Sequence, residues 1–430
     1  MGAPFASEET DSPRVKPPPL PTVLVIGTLD TKGPEIAYLA RRIAELGPRT
    51  VVLDSGILGE PAGVVPDVPR ARVALAAGTT IDALRQAPSR GAAVEAMCRG
   101  VRSVALELHG KGAIDGVVAL GGAEGAVLAT AAMKALPIGV PKLVVSPIAS
   151  GRRIFDPFVG TKDVLVMHSV VDILGLNDVS RRVFDNAAAA IAGMVSFARP
   201  HARSARPEIA ITMLGNTTKP IMRMKPRLEA AGFEPVVFHA NGVGGRAMEE
   251  LIGDGLYAAV LDYTLSEIAG EIAGGFHRGG PSRLEAAGRR SLPQVIVPGC
   301  VDFVVFGAKA DVPEPFRARP SYYHNPEFTL VHVTREERLA IAREIGRKLA
   351  LSTGPVAVVV PTRGLSIPNV PGGPFHDPDG DAAFRAALRA ALKPSASIDY
   401  REIDAHVNDE AFADAVLGVF LSLVEKSPKT

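Results

Sequence analysis

The sequence has no tryptophan and only two cysteines among its 430 residues. Cys98 and Cys300 lie far apart in the chain, and neither belongs to a CxxC motif or to a cluster of cysteines and histidines. A disulfide scaffold and a structural zinc site are therefore both disfavoured. Because disulfides are rare in reducing compartments, this cysteine usage favours a cytoplasmic location.

The sequence also has no excess of charge of either sign. It contains 47 basic and 46 acidic residues, and these are intermixed along the chain. The aromatic residues do not alternate with lysine and arginine as a base-stacking surface would require. We therefore expect no nucleic acid partner.

Long hydrophobic segments are absent as well. The longest nearly apolar stretch, Ala187 to Ala198, has about a dozen residues, whereas about 20 are needed to span a bilayer. Residues 1–20 are acidic and then proline-rich, without the basic and apolar regions of a signal peptide. We expect a soluble protein with a disordered leader and no membrane contact.

The apolar content of 47% is sufficient for two ordinary cores, since single domains commonly contain about 100–200 residues. The stretch RPHARSARP, Arg199 to Pro207, contains two prolines, three arginines and no apolar run. We place a domain boundary there. This predicts an N-terminal lobe over residues 21–200 and a C-terminal lobe over residues 208–430.

Short apolar runs alternate with alanine-rich helical segments in the N-terminal lobe. The runs VLVI, TVVLD, GVVAL and KLVVS are continuous, as strands covered by helices on both faces require. This pattern predicts an α/β fold with a doubly wound, Rossmann-like parallel sheet. Pro61 to Lys111 is predicted to be a helical insertion between the second and third strands, and Val164 to Ala198 is predicted to be helical.

The turn after the first strand is the leading candidate for anion binding. It offers backbone N–H groups, two hydroxyls and one ammonium at the start of a helix, from Gly27, Thr28, Asp30, Thr31, Lys32 and Gly33. Such a turn suits a phosphate or a carboxylate. It matches neither a Walker A loop nor a GxGxxG turn, so a purely structural turn is an equal alternative. Lys32 would supply charge to phosphates, and Asp30 could hold Mg²⁺ directly or through water.

Two further turns of this lobe are candidates for the same site. Gly121, Gly122 and Gly125 follow the third strand and form either a phosphate cradle or a tight strand-to-helix packing. Asp54 ends the second strand, where dinucleotide folds place the residue that meets a ribose hydroxyl. A helix-capping role for Asp54 is the alternative.

The C-terminal lobe resembles a second copy of the first. The segment EIAITMLGNTTKP, Glu208 to Pro220, matches TVLVIGTLDTKGP, with Lys219 at the place of Lys32. We therefore predict a pseudo-repeat of two doubly wound lobes with an interlobe cleft. Thr334 to Leu351 is predicted to be a helix opened by a capping box, and Phe303 to Thr329 is predicted to be loop-like.

Acid–base chemistry is predicted for the C-terminal lobe. His239 follows the second strand of this lobe and is expected at the same sheet edge as Asp262 and His324. These three are the candidate catalytic residues. A histidine with a purely structural role is the alternative. Asp404 and His406 form a second acid–histidine pair, which we expect on the surface rather than at the site.

Several of these segments together resemble a known family. They include GTLDTKG, GGAEG, HANGVGGRAMEELI, PGCVDFVVFG and EIDAHVND, in an order that extends from about Thr22 to Gly418. The chain resembles an uncharacterised family related to the amino-terminal ATP-binding domain of the tomato mosaic virus resistance protein. The resemblance implies two α/β subdomains, ATP binding and a homodimer.

The resemblance also suggests a partner. In the plant protein this domain grips the viral helicase and precedes a barrel domain that resembles a phosphoenolpyruvate-hydrolase-like enzyme. A separate barrel protein of that kind is therefore a candidate partner for this chain. Glu124, inside the GGAEG loop, departs from the small residue expected there, and a carboxylate facing a phosphate would repel it unless a Mg²⁺ lay between them.

Three hypotheses follow. The first is a cytosolic protein that binds ATP and Mg²⁺ on the turns of the N-terminal lobe, with a second small anionic ligand in the interlobe cleft on the turns of the C-terminal lobe. The second is a metabolic enzyme acting on a small carboxylated or phosphorylated compound, with His239, Asp262 and His324 transferring protons. The third is a protein-interaction module.

Overall fold

A computed structural model describes residues 19–149, 156–198, 204–392 and 398–427. The chain divides into two units, residues 1–200 and 201–430. Residues 1–18 of the predicted leader and residues 199–203 of the predicted boundary lie outside the described ranges. Inside those ranges, no helix is both long enough and apolar enough to cross a membrane.

The N-terminal lobe has a single parallel sheet in the part that the structure describes. Its strands are β1 (Thr22–Gly27), β2 (Arg49–Asp54), β3 (Gly116–Leu120), β4 (Lys142–Ser146) and β5 (Leu165–His168). Its helices are α1 (Leu29–Glu45), α2 (Arg70–Ala76), α3 (Ile81–Arg85), α4 (Arg90–Gly110), α5 (Ala123–Ala135), α6 (Asp156–Val159) and α7 (Asp178–Phe197). The strand order is β2-β1-β3-β4-β5.

Both faces of this sheet are covered, because successive side chains of a strand point to opposite sides. Leu24 and Ile26 of β1 belong to a core formed with α4 and α5. Val23 and Val25 belong to a second core formed with α1 and α7. The predicted doubly wound sheet is confirmed, as is the helical insertion between β2 and β3, which contains α2, α3 and α4.

The prediction of one helix over 164–198 is wrong in its first part. Leu165–His168 forms the edge strand β5, which pairs with β4. Helix α7 begins only after Asn177, whose side chain accepts hydrogen bonds from the N–H groups of Val179 and Ser180. The short apolar run LVMH is compatible with strand or helix, and its pairing with β4 decides between them.

The described residues of the C-terminal lobe form two sheets. Its strands are β6 (Glu208–Met213), β7 (Glu234–His239), β8 (Ala259–Thr264), β9 (Gln294–Gly299), β10 (Phe303–Phe306), β11 (Ser321–Asn325), β12 (Phe328–His332), β13 (Val356–Pro361) and β14 (Ile398–Ile403). Its helices are α8 (Thr218–Ala230), α9 (Val243–Gly253), α10 (Ser266–Ala273), α11 (Ala286–Arg289), α12 (Arg335–Leu349), α13 (Pro378–Leu392) and α14 (Glu410–Glu425).

The main sheet of this lobe is parallel, in the order β14-β13-β9-β8-β6-β7. A smaller antiparallel sheet, β10-β12-β11, projects from the connection between β9 and β13. The prediction that Phe303 to Thr329 is loop-like is therefore wrong, because this stretch contains β10, β11 and the first residues of β12. The predicted helix after Thr334 is confirmed, and its capping box with Glu337 is formed on both sides.

The predicted pseudo-repeat is visible in the strand order. In each lobe the first strand lies between the second and the third, and the fourth and fifth strands follow on the side of the third. The C-terminal lobe adds a sixth parallel strand, β14, beyond its fifth, β13. The two lobes therefore share one winding pattern, to which the C-terminal lobe adds a strand and an antiparallel sheet.

Candidate functional site

The strand order of the N-terminal lobe creates a switch point between β1 and β3. The chain leaves β1 toward β2 on one side, whereas β3 and the later strands extend on the other. Helix α1, which follows β1, packs on one face of the sheet, and α5, which follows β3, packs on the opposite face. In open parallel sheets, ligands bind in the crevice that such a divergence leaves at the carboxyl ends of the strands.

The turn that leads from β1 into the start of α1, called the α1 turn below, lies at this crevice. Its polar groups are exposed or partly exposed. Thr28 precedes the helix and makes no side-chain capping bond to it. Its hydroxyl lies 2.8 Å from the hydroxyl of Thr31. Lys32 departs from helical geometry, with φ −129° and ψ 18°, and it makes no ion pair with any residue of the described ranges. The ammonium is thus free to meet a ligand, whereas the Thr31 hydroxyl also donates to the Thr28 carbonyl oxygen at 3.3 Å and would exchange these contacts for a ligand.

Asp54 is buried beneath this turn. Its Oδ1 accepts hydrogen bonds from the N–H groups of Leu29, at 3.1 Å, and Gly56, at 2.8 Å. The side chain is 0% exposed, and burial raises the pKa of its carboxyl. Asp54 therefore holds the first turn of α1. Its Oδ2 and the neighbouring Ser55 Oγ are buried without a hydrogen-bond partner in the described structure.

Asp30 connects the α1 turn to the loop that follows β2. Its Oδ2 accepts hydrogen bonds from the N–H groups of Leu58, at 3.1 Å, and Gly59, at 3.0 Å. No group of three or more histidine, cysteine or acidic side chains in the described ranges could hold a metal ion. Any cation at Asp30 would therefore need most of its ligands from a bound phosphate and water.

The candidate turns differ in why glycine is present at each position. A Cβ on Gly27 would lie 2.4 Å from Ile36 Cδ1, and one on Gly33 would lie 1.9 Å from the carbonyl oxygen of Ala62. A Cβ on Gly121 would lie 2.7 Å from the Cα of Gly125. These glycines permit close packing. Gly122, by contrast, has open space around it.

Helix α5 begins at Gly122 without a side-chain cap. The first-turn residue Glu124, which we expected to repel a phosphate, is paired with Arg90 of α4, whose Nε lies 2.6 Å from Glu124 Oε2. This ion pair compensates the carboxylate charge beside the turn. The N-terminus of α5 therefore repels an anion less strongly than the sequence alone indicates.

The three predicted catalytic residues occupy different surroundings. Asp262 is buried, His239 is exposed at the end of β7, and His324 is exposed on β11. Among the residues that the structure describes, no hydrogen bond or ion pair joins any two of them. The structure does not assemble them into a hydrogen-bonded acid–base group.

Asp262 belongs to a buried charge network around Arg283. The guanidinium is 0% exposed and contacts three carboxylates, those of Asp262, Glu267 and Glu249. Asp262 Oδ1 also accepts a hydrogen bond of 2.7 Å from Thr212 Oγ1. Burial raises the pKa of the Glu249 carboxyl. This network ties β8 to the segments around it and leaves Asp262 no free oxygen for a substrate.

Two of the carboxylates hold backbone at the same time. Glu267 Oε1 accepts hydrogen bonds from the N–H groups of Gly242, at 2.6 Å, and Gly245, at 2.9 Å. These glycines belong to the turn that follows His239. Glu249 accepts hydrogen bonds from the N–H groups of Leu284 and Ala286. The network thus organises the HANGVGG turn and the start of α11.

The C-terminal lobe has its own switch point, between β6 and β8. The turn Gly215–Lys219 follows β6 there, in the place that Gly27–Lys32 occupies in the N-terminal lobe. It borders an open cavity of about 440 Å³, which is lined by Gly215, Asn216, Thr218, Lys219, Ile367, His406 and Asn408. His324 lies at the same turn, because a Cβ on Gly215 would be 3.9 Å from its Nε2.

Ile367, His406 and Asn408 line the cavity, although the sequence around them does not predict a site. We expected His406 on the surface together with Asp404. Only Asp404 is exposed, and it pairs with Arg363. The segment EIDAHVND begins in the last two residues of β14 and continues into the loop at the carboxyl edge of the sheet, and this position was the available signal.

A buried carboxyl lies behind the cavity. Asp302 Oδ2 accepts a hydrogen bond of 2.6 Å from Ser366 Oγ, whereas Oδ1 is buried with no partner in the described structure. Burial raises the pKa of Asp302 to about 7, the nearby Asp381 adds to this, and the Ser366 hydrogen bond and Arg338 oppose it. The backbone carbonyl of Ser366 in turn lies 2.9 Å from His406 Nε2.

Comparison with family models identifies the chain. Residues 21–200 match the model of the N-terminal domain of the uncharacterised protein family UPF0261, and residues 206–424 match the model of its C-terminal domain. The chain belongs to the UPF0261 family. The predicted resemblance is confirmed.

Full-length relatives are found in bacteria. A UPF0261 protein of Clostridium tetani is 39% identical over 404 residues, which are 94% of this chain and 99% of the relative. A tomato relative, the ToMV susceptible protein tm-1(GCR26), is 33% identical over 442 residues, covering 98% of this chain and 57% of that protein. The ToMV resistance protein Tm-1(GCR237) of tomato is 35% identical over 343 residues, covering 79% of this chain and 45% of that protein. The chain spans about half the length of these tomato proteins.

The Arg283 network of this UPF0261 member predicts a large stability effect. Replacing Arg283 by Met removes the cation that three buried carboxylates share, and we expect a loss of about 3–5 kcal/mol in the free energy of unfolding. The control is Arg289→Met, which removes an exposed ion pair with Glu285 and is expected to cost less than about 1 kcal/mol. Urea unfolding measures both. Equal stability of the two variants would contradict a structural role for the network.

Asp302 predicts a dependence of stability on pH. Its folded-state pKa, about 7, lies above the ordinary value of 3.8, so the folded protein binds the proton more tightly than the unfolded chain. Stability from this group is present at low pH and is lost as the pH rises toward 7. An asparagine at this position would not titrate. The stability of Asp302→Asn relative to the parent should therefore rise by roughly 2–3 kcal/mol between pH 5 and pH 8. A difference independent of pH in urea unfolding would refute this.

Gly33 predicts a packing effect in the candidate turn. A methyl group at this position collides with the Ala62 carbonyl, so Gly33→Ala should lower the free energy of unfolding by about 1–3 kcal/mol. Gly110→Ala is the control, because a Cβ at this exposed helical glycine meets nothing within 4 Å. Thermal unfolding of both variants would measure the difference. Equal melting temperatures would show that Gly33 has no packing role.

Proposed function

We propose that the N-terminal lobe binds a nucleotide, ATP with Mg²⁺, whose phosphates lie on the turns after β1 and β3. The observation that carries this proposal is the switch point, where α1 and α5 begin on opposite faces of the sheet. Neither helix is capped by the side chain of the residue that precedes it, although the Asp54 carboxylate accepts the Leu29 N–H of α1. In α1, the N–H groups of Leu29, Thr31 and Lys32 already donate to Asp54 or to the Thr28 carbonyl oxygen, so the unpaired N–H groups belong mainly to α5. Both helix N-termini also carry a partial positive charge. Two of them on either side of one crevice suit a chain of phosphates.

The side chains at the crevice support a phosphate ligand. Lys32 supplies an ammonium that no carboxylate of the described ranges neutralises, and Thr28 and Thr31 supply hydroxyls. The one acidic residue of the α5 turn, Glu124, is compensated by Arg90. With Asp30 included, the accessible charges at the two turns balance, Lys32 and Arg90 against Asp30 and Glu124. The attraction for an anion therefore depends on the helix N-termini and on a cation held by Asp30.

Asp30 is the residue we assign to Mg²⁺. One of its oxygens is held by the loop after β2, which fixes the orientation of the carboxylate. Mg²⁺ in nucleotide sites is commonly bound by one or two carboxylates together with phosphate oxygens and water. A single carboxylate fits that pattern. Asp54, which is buried, acts in this proposal by holding the α1 turn rather than by contacting the ribose.

The enzyme hypothesis built on His239, Asp262 and His324 has less support. Asp262 is fully engaged with Arg283 and Thr212, and its side chain is buried. Proton transfer requires a group within hydrogen-bond reach of the substrate. Of the three, only His324 lies close to a described residue that lines a cavity, and that residue is Gly215. Proton transfer by the three residues together is therefore not part of the proposal.

Calorimetric titration of ATP into the full chain tests the proposal. We expect micromolar binding, and at least tenfold weaker binding by Lys32→Ala, because the ammonium that faces the phosphates is lost. The matched control is Lys219→Ala, which removes the lysine at the equivalent turn of the C-terminal lobe. This control should bind ATP as the parent does. Circular dichroism verifies that both variants are folded.

The same titration with and without Mg²⁺ tests the assignment of Asp30. The variant Asp30→Asn keeps an oxygen for the N–H groups of Leu58 and Gly59 but loses the negative charge. We expect it to lose the Mg²⁺-dependent gain in ATP affinity and to keep the Mg²⁺-free affinity. Full ATP affinity in Lys32→Ala, or its loss in Lys219→Ala alone, would overturn the N-terminal site.

A further inference from the structure

The cavity at the C-terminal switch point has the size and the construction of a small-molecule site. Its volume, about 440 Å³, lies in the range of ligand pockets, which is about 300–1,000 Å³. Three separate segments form it: the turn after β6, the loop after β13 and the loop after β14. The N-terminal lobe has no sixth strand in its described part, so the wall from the β14 loop is specific to the C-terminal lobe.

Hydrogen bonds connect the three segments. Asn408 Nδ2 donates to the Asn216 carbonyl oxygen at 2.9 Å, and Asn216 Oδ1 accepts from the N–H of Ile367 at 3.2 Å. His406 is fixed on both sides of its ring. Its Nε2 lies 2.9 Å from the Ser366 carbonyl oxygen, and its Nδ1 accepts from the Asn408 N–H at 3.1 Å. The walls are thus held in place without a ligand.

The Asn216 side chain indicates that the ligand carries a polar group. It is only 4% exposed, and it lines the cavity. Its Oδ1 is used by Ile367, but its Nδ2 makes no hydrogen bond with any residue of the described ranges. An amide donor that lines a cavity and has no protein partner is available to donate a hydrogen bond to a ligand.

The remaining lining defines the chemistry of the ligand. Lys219 contributes an ammonium with no ion pair in the described ranges, and Ile367 contributes an apolar side chain that is 47% exposed. The nearby acidic residues are already engaged, since Glu410 pairs with Arg223, and Asp409 accepts the His406 N–H. The cavity thus combines a positive charge and an amide donor with an apolar wall.

We propose that this cavity binds a small organic anion, with its carboxylate or phosphate group on Lys219 and Asn216 and its apolar body against Ile367 and the His406 ring. This site is separate from the nucleotide site proposed for the N-terminal lobe. Because no residue is shared between the two, either site can fail its test without the other. The anionic group of the ligand is either a carboxylate or a phosphate ester, and the experiment distinguishes between these two.

The test measures the binding of benzoate and of phenyl phosphate to the full chain by ligand-observed NMR and calorimetry. We expect at least one of them to bind with a submillimolar Kd. Benzyl alcohol, which lacks the charge, and inorganic phosphate, which lacks the apolar body, should each bind at least tenfold more weakly. Which of the two anions binds more tightly identifies the anionic group.

Two variants locate the binding. Gly215→Leu fills the cavity, and it is compatible with the fold because a Cβ there meets nothing closer than His324 at 3.9 Å. It should abolish binding. Lys219→Ala should weaken binding at least tenfold. The control is Lys225→Ala, which removes another lysine of α8 that does not line the cavity and should leave the affinity unchanged.

The outcomes decide the proposal. Loss of anion binding in Gly215→Leu with retention in Lys225→Ala and in Lys32→Ala supports a site in this cavity that is independent of the nucleotide turns. The proposal is overturned if neither anion binds at millimolar concentration, if binding persists in Gly215→Leu, or if benzyl alcohol binds as tightly as benzoate. Loss of binding in Lys32→Ala would instead assign the anion to the N-terminal lobe.

Discussion

The parallel arrangement of the strands is the constraint on which both candidate sites depend. Helical crossovers bring the carboxyl ends of all strands of a lobe to one edge of its sheet. The chain moves to one side from the first strand to the second and to the other side from the third strand to the fourth, so right-handed crossovers place the helices that follow the first and third strands on opposite faces. The crevice between them follows from the topology, and the local sequence only decides what it holds.

Burial then separates charges that build the lobe from charges that can meet a ligand. Arg283 and its three carboxylates are almost inaccessible, and desolvation makes such a cluster tolerable only when every member is paired or hydrogen-bonded. Lys32 and Lys219 stand at the start of helices with no carboxylate partner in the described ranges. An accessible ammonium costs little while it is unpaired, and it therefore remains available to an anion.

The sequence was informative where structure is decided locally. Continuous apolar runs predict the parallel strands, and the small-residue turns after them mark the carboxyl edge of each sheet. The antiparallel sheet was missed because its short strands are stabilised by pairing between distant segments, as between Phe303 and His332. The role of Gly33 could not be read either, because it depends on the Ala62 carbonyl, which only the tertiary fold brings near. The pairing of Asp262 with Arg283 could not be predicted, because 21 positions separate the two residues in the sequence and only the tertiary fold brings them together.

The two lobes show how one topology can give two different candidate sites. The turns Gly27–Lys32 and Gly215–Lys219 occupy equivalent places, and each ends in a lysine. In the C-terminal lobe, however, the loops after β13 and β14 also line the cavity at the turn, and they contribute Ile367 and His406 to its walls. An open crevice suits an extended polyphosphate that is gripped mainly by backbone, whereas a walled cavity with one ammonium and an apolar side suits a compact organic anion. The difference between the sites thus arises from what the later strands add, while the turns themselves are alike.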